Sequence, residues 1–402
     1  MSQPDPLDAL PAPLTDTTPL SPPSLLMPLN SMPQLSSRTA AAVKVYLDFT
    51  GAAATPWGNY SATETPAYDT DGDPTTFSQY ELGQIRQIWS RVAEKYSPFN
   101  VDVTTVDPQS YAFNHVVRVV IGGNGSWAGK GFGGFGYVNG FTGDTSNTAW
   151  VFAKNLSGEP KYVAEAAAHE TGHNFGLYHQ SVYGADGNKC NEYNPGSGIS
   201  APIMGSSHYA DRGLWWSGAS SASNTNQDDV GIISSFTNGF GFRDDDHGNN
   251  SQRADVLTLS SDGLTASGNG VIETIADVDY FKITSPGGHV DFRADVAPYG
   301  AMLDLALKVT DVDGNILASV DTASLGEHFS MDTVPGDYYL AVSSHGDYGD
   351  MGQYSVTVSM VPEPVAVPLV LALTGGWLFQ RPRRCGFRRV GKIGIAEEAI
   401  AH

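Results

Sequence analysis

Cysteine is almost missing. The 402-residue chain has two, Cys190 and Cys385. They fall in segments of very different character, which argues against an intramolecular disulfide, so the fold relies on its cores and on any metals it binds. Positive charge is scarce as well: 22 Lys and Arg stand against 43 Asp and Glu, for a formal net charge of −21. An acidic surface of that size argues against binding nucleic acid or anionic membranes, and it is compatible with an extracellular protein that binds Ca²⁺. Long apolar runs are lacking too. Leu25–Leu29 is broken by Pro28 and follows no basic region, so no signal-peptide pattern is visible. The stretch Val365–Phe379 stays below the ~18 residues of a membrane helix.

What the chain does have is 41% hydrophobic residues, 45 glycines and 24 prolines. This composition predicts real cores with more loop and strand than helix, and the length predicts two folded domains. Nine prolines lie in the first 40 residues without apolar periodicity, so residues 1–41 read as a disordered leader. Strands are expected at Val43–Phe49, Val101–Thr105, His115–Gly122 and Thr148–Ala153, with an exposed edge strand at Gly136–Phe141. Ser78 and Glu81 form a capping-box pattern ahead of Leu82, Ile85, Trp89, Val92 and Tyr96 at helical spacing, ended by Pro98. A second helix is expected from Pro160 to Phe175. The order β-α-β-β-β-α indicates an α+β domain with a twisted, helix-backed sheet over residues 42–240. From residue 241 to 360 the texture is that of an antiparallel β-sandwich, with strands at Tyr280–Thr284, Val290–Asp295, Asp304–Thr310, Tyr338–Ser343 and Tyr354–Ser359. Residues 361–384 combine the apolar stretch with Arg381, Arg383 and Arg384, the flank of a positive-inside anchor, and 385–402 form a tail.

The chemistry concentrates in His169-Glu-Thr-Gly-His173-Asn-Phe-Gly176-Leu-Tyr-His179. Residues four apart share a helix face one turn, or ~5.4 Å, apart, so His169 and His173 can grip one Zn²⁺ ion. Glu170 projects from the same turn, where a carboxylate can act as general base toward a water. A straight helix would carry the chain away. Gly176 permits the left-handed residue that ends it, and His179 can then return as third ligand. Three imidazoles leave one coordination position open, as in catalytic rather than structural zinc sites.

This run resembles the extended zinc motif of the metzincin metallopeptidases. The resemblance covers about residues 42–240. It implies a methionine turn at Ala201-Pro-Ile-Met204-Gly205, with Met204 as a hydrophobic floor under the histidines, and a pocket wall at Gly205–Tyr209. It also implies that the edge strand near Gly136 and Tyr137 pairs with an extended peptide substrate; the equal alternative is an ordinary hairpin strand. Tyr209 is either a transition-state hydrogen-bond donor or structural. Gln180, after the third histidine, leaves the subfamily open, and Ser206 stands where some members have a tyrosine ligand. Residues 244–360 resemble the bacterial prepeptidase C-terminal domain, through Asp277-Val-Asp-Tyr-Phe281 and Gly336-Asp-Tyr-Tyr-Leu-Ala-Val342. Val361-Pro-Glu-Pro364 with the apolar stretch and the arginines resembles a PEP-CTERM sorting signal. That implies bacterial export, an exosortase-type processing partner, transient membrane contact and a secreted or surface-anchored product.

Asp69-Thr-Asp71-Gly-Asp73 has the spacing of the start of a Ca²⁺ loop. Tyr80 stands where a bidentate glutamate is needed, so a solvated turn is the favoured reading. The expectation is a zinc endopeptidase acting on extracellular proteins or peptides. The alternative is a non-catalytic surface adhesion or carbohydrate-binding protein that retains a zinc fold.

Overall fold

The first strands are buried almost continuously along their length, as expected of a parallel sheet covered on both faces. The computed structural model describes Asp5–Pro6 and residues 26–129 and 131–361. Strand β1 (Val43–Asp48) pairs in parallel with β2 (Val101–Thr104) on one side and β3 (Val116–Ile121) on the other. Val45, Leu47, Val117, Val119 and Ile121 face one core, while Val120 faces another. Strand β4 (Gly134–Gly136) is antiparallel to β5 (Thr148–Val151), which is parallel to β3, giving the order β4-β5-β3-β1-β2 with the two residues Asp5–Pro6 added outside β4 as a sixth strand.

Helices α1 (Gln79–Tyr96) and α2 (Pro160–Asn174) cover one face. An aromatic layer of Trp57, Phe135, Tyr137, Trp150 and Phe152 covers the other. Both halves of the capping box form at α1: the Ser78 hydroxyl accepts from Glu81 N–H, and the Glu81 carboxylate accepts from Ser78 N–H at 2.8 Å. Helix α2 begins with Pro160, whose missing N–H costs nothing there.

Three sequence expectations are corrected. First, the segment read as a disordered leader is packed from residue 26 onward. Met27–Pro28 pairs with Thr76–Phe77, and Asp102 accepts hydrogen bonds from Ser36, Ser37 and Arg38. Its prolines suit an extended segment whose donors are met by side chains. Second, the edge strand is Gly134–Gly136, earlier than Gly136–Phe141. Asn139 adopts φ +60 and the chain turns there, and asparagine tolerates that region where most residues do not. Third, several sandwich strands lay outside the predicted set, among them Thr265–Ile272 and Glu327–Thr333.

The second half is β-rich, in two five-stranded sheets around a separate core that includes Phe281, Phe292, Leu305, Leu340 and Val356. Residues up to Glu363 nevertheless form one compact unit. Buried polar groups join the halves. Lys95 donates to Gly213 O at 2.7 Å and to Gly300 O at 3.0 Å. Glu94 accepts from Met302 N–H and from the Gln353 amide, and Arg212 pairs with Asp350 and donates to Met302 O. No helix among the described residues is long and apolar enough to cross a membrane. The sorting-like segment from 362 onward lies outside the described residues.

Candidate metal centre

Helix α2 sets the first two ligand positions. His169 and His173 are buried on one of its faces, with ring centroids 4.8 Å apart. The helix ends in paired carbonyl caps: Leu177 N–H bonds Gly172 O and Gly176 N–H bonds His173 O. Gly176 has φ +105, and a Cβ there would sit 2.9 Å from the Asn139 side chain, so glycine is required twice over. Beyond it the chain returns and brings the His179 ring to 5.2 Å from His169 and 5.0 Å from His173. One ligand atom from each histidine lies within 4.8 Å of the others.

The hydrogen bonds set the tautomers. Nδ1 of His169 donates to Ile203 O and Nδ1 of His173 to Leu177 O, each at 2.7 Å. Nδ1 of His179 donates to Glu192 Oε1 at 2.8 Å. An imidazole that donates through Nδ1 offers its Nε2 lone pair. Nε2 of His169 and of His173 is buried without a hydrogen-bond partner, a costly arrangement unless a cation fills it. Burial and the neighbouring rings hold His169 well below the usual histidine range, and burial holds His173 at about 3. Neutral, preset imidazoles are what a divalent cation such as Zn²⁺ requires, so the residues fit that ion.

Glu170 is fully buried beneath the edge strand. A Cβ on Gly134 would lie 2.5 Å from Glu170 Oε1, and one on Gly136 would lie 2.6 Å from Glu170 O. The alternate glycines of Gly134-Phe-Gly136 therefore make room for the carboxylate, while Phe135 turns into the aromatic layer. On its outer side this strand is paired antiparallel by Asp5–Pro6, in the register Asp5 to Gly136 and Pro6 to Phe135. Tyr137 is buried, with Asn59 N–H donating to its hydroxyl. Any contact it makes with a chain along the edge is through its backbone.

Met204 is buried against α2, its sulfur 2.6 Å from where a Cβ on Gly172 would be. Its carbonyl accepts from Gln180 N–H at 2.8 Å, and the preceding carbonyl holds His169. Ser207 donates to Glu165 at 2.6 Å, beside a buried Lys95–Glu165 ion pair. Tyr209 is half exposed, its ring against Tyr162 and His208 rather than the histidine triad.

Several residues escaped the sequence reading. The adjacent Asp228 and Asp229 both stand at the start of the short helix Asp229–Ile233, where acidic residues suit the N-terminus. That role belongs to Asp228, which caps Gly231 N–H. Asp229 is fully buried, accepts from Gln180, Gln227 and Trp216 N–H, and is pushed up to about 7 by burial. Glu192 and Tyr193 lie in the loop between His179 and Met204, and the Tyr193 ring is 4.4 Å from that of His179. The hydrogen bond to His179, reinforced by Lys189, holds Glu192 down at about 2. Two carboxylate groups offer ligand-like spacing elsewhere, Asp69–Asp71–Glu81 and Asp245–Glu273–Asp277. In the first, Glu81 is occupied by the helix cap and by Thr70 N–H. In the second, burial raises Glu273 to about 10, with Asp277 beside it.

Residues 84–180 match the reprolysin-like metallopeptidases of family M12B. No curated protein matches the chain. Solved structures resemble about a quarter of it. The pre-peptidase C-terminal domain of a Bacillus anthracis collagenase is 22% identical over 28% of this chain and all of that one, with a TM-score of 0.20. The Aeromonas hydrophila inhibitor of g-type lysozyme, PliG, is 12% identical over 26% of this chain and 94% of its own, with a TM-score of 0.22. The family match and the buried three-histidine group together support a zinc metallopeptidase.

Proposed function

We propose that this chain is an exported, metzincin-like zinc endopeptidase in which Glu170 is the general base. The observation that carries the proposal is the buried triad His169, His173 and His179, with Glu170 one residue along the same helix and directly under a glycine edge strand. His169, His173 and His179 would hold a zinc ion, which would supply Lewis acidity toward the scissile carbonyl and a bound water. Glu170 accepts the proton of the attacking water and delivers it to the departing amine. Its burial keeps competing solvent away, and Gly134 and Gly136 leave room for its carboxylate beneath the strand along which the substrate would lie.

The edge strand supports a peptide as substrate. Asp5–Pro6 already adds to it antiparallel, which is the geometry of β-augmentation. An extended protein segment would take the same place, held by backbone hydrogen bonds that read shape more than sequence. Met204 and Gly176 serve the site indirectly, one as the floor packed on Gly172 and the other as the hinge that returns His179. Secretion through the sorting-like tail is part of the proposal, and fractionation of cells producing chains with and without residues 361–402 tests it.

The central experiment is cleavage of an unfolded protein such as casein by the full chain, with and without a zinc chelator, beside Glu170→Gln. The expected result is chelator-sensitive cleavage that Glu170→Gln lowers by roughly 10²–10⁴-fold, with one zinc still bound per chain. Full activity in Glu170→Gln would remove Glu170 from the chemistry. A folded, zinc-loaded parent that cleaves no protein would favour the binding-protein alternative.

A further inference from the structure

The three histidines are not held alike. His169 and His173 inherit their positions from a regular helix, and their Nδ1 atoms meet neutral backbone carbonyls. His179 stands beyond Gly176, outside any helix or strand. Its backbone is secured through neighbours, with Gln180 N–H on Met204 O and Ser221 N–H on His179 O. Its ring depends on something else, since a backbone bond does not fix a side-chain rotation.

That support comes from the loop that follows. The hairpin of Val182–Tyr183 with Lys189–Asn191 delivers Glu192, whose Oε1 accepts from His179 Nδ1 at 2.8 Å. Oε2 of the same carboxylate takes Lys189 Nζ at 2.6 Å. The Glu192 carbonyl is pinned by the Ser181 hydroxyl at 2.6 Å, and Asn194 N–H bonds Gln180 O at 2.7 Å. The loop is thus tied on both sides to the residues next to His179. Tyr193 packs its ring 4.4 Å from that of His179 and 6.3 Å from that of His169.

We propose that Glu192 is the positioning residue of the third metal ligand: it holds the proton on Nδ1 of His179 and so aims Nε2 at the point shared with His169 and His173. The inference rests on the zinc-site reading above. A carboxylate only accepts, so it admits one tautomer and one ring orientation. It also makes the imidazole a stronger donor and sets one negative charge beside a site of three neutral ligands. A merely structural role predicts something different. If Glu192 served only to pair with Lys189 on the hairpin, its loss would disturb an exposed ion pair and leave metal affinity unchanged.

The test is zinc affinity, measured on the full chain by competition with a chromophoric chelator, for the parent, Glu192→Gln, Glu192→Ala and Lys189→Met. Glutamine keeps the shape but removes the charge and leaves a weaker, neutral acceptor that can also turn its N–H toward the ring, so it no longer enforces one tautomer, whereas alanine removes the acceptor outright. Glu192→Gln and Glu192→Ala are expected to weaken zinc by roughly 10–100-fold, and Lys189→Met by less than about threefold. The metal-free proteins should have the same circular dichroism as the parent. With Co²⁺ as probe, the visible absorption of Glu192→Gln should shift as the third imidazole loosens. If Glu192→Ala fails to fold, the isosteric Glu192→Gln carries the test. Zinc affinity of a folded Glu192→Gln within about twofold of the parent overturns the proposal. So does a Lys189→Met variant weakened as much as Glu192→Gln. A parent that binds no zinc defeats the underlying zinc reading instead, and the two failures are distinct.

Discussion

Gly134→Ala puts the link between edge strand and general base to a severe test. The added Cβ would sit 2.5 Å from Glu170 Oε1, 2.8 Å from Glu170 Cγ and 2.8 Å from Trp150 O. Ordinary contact begins near 3.4 Å, so the carboxylate must retreat by 3.4 − 2.5 = 0.9 Å or the strand must lift. Gly134 is not among the positive-φ residues, so the backbone itself accepts alanine and the clash is the whole effect. A misplacement near 1 Å in a catalytic group costs on the order of 10²-fold in rate, or about 2.7 kcal/mol of barrier. Overpacking costs about 1–3 kcal/mol of stability. The expected result is a folded, zinc-binding protein with kcat down roughly 100-fold and a modest loss in denaturant midpoint. Gly136→Ala separates the two effects. Its Cβ meets Glu170 O, which is helix backbone and cannot rotate aside, so it should cost more stability than Gly134→Ala. Gly134→Ala with kcat within threefold of the parent, measured on a peptide substrate, would refute the placement of Glu170 under the strand.

Three further outcomes follow from the same geometry. Deleting residues 1–25 removes the Asp5–Pro6 pairing from the edge and should lower KM for long peptides by roughly 5–30-fold, the worth of one or two backbone hydrogen bonds at about 1 kcal/mol each; an unchanged KM would show that this pairing does not compete with substrate. Asp229 has a folded pKa of about 7, above its ordinary 3.8, so its contribution to stability is full below pH ~4 and is lost as pH rises through 7. Thermal midpoints between pH 4 and 7 should therefore fall less steeply in Asp229→Asn, and identical slopes in that window would contradict the raised value. Lys95→Met leaves Glu165 buried and without its cation, at a cost of about 3–5 kcal/mol by chemical denaturation; a loss under 1 kcal/mol would mean that the charge is met elsewhere.

The metal triad was legible because its geometry is local. A helix converts a spacing of four into a shared face, and a glycine after the last turn announces the reversal. The capping box at Ser78 was legible for the same reason. What was illegible depends on distant partners. Lys95 and Glu165 read as ordinary helix charges, and only the packing of α1 on α2 buries them together. Glu192 lies in a loop rich in polar residues, where nothing local marks it as a partner of His179. Gly134-Phe-Gly136 did carry a signal, since glycines two apart in a strand leave one face bare, but the expected strand at Gly136–Phe141 began where the real one ends. Thr265–Ile272 is a strand despite Ala, Ser, Asn and two glycines, because it pairs along its whole length with Gly352–Val361; tertiary pairing overrides weak propensity.

The polar groups that join the two halves also bear on how such a protein can change over time. Lys95, Glu94 and Arg212 each reach into the β-rich half, to Gly300, Gln353 and Asp350. A genetic exchange that spliced a different sandwich onto the zinc half would strand these charges inside the joint. A sandwich exchanged into this chain would therefore have to supply matching partners at the seam, and substitutions on one side should cost least when the other side is changed with them.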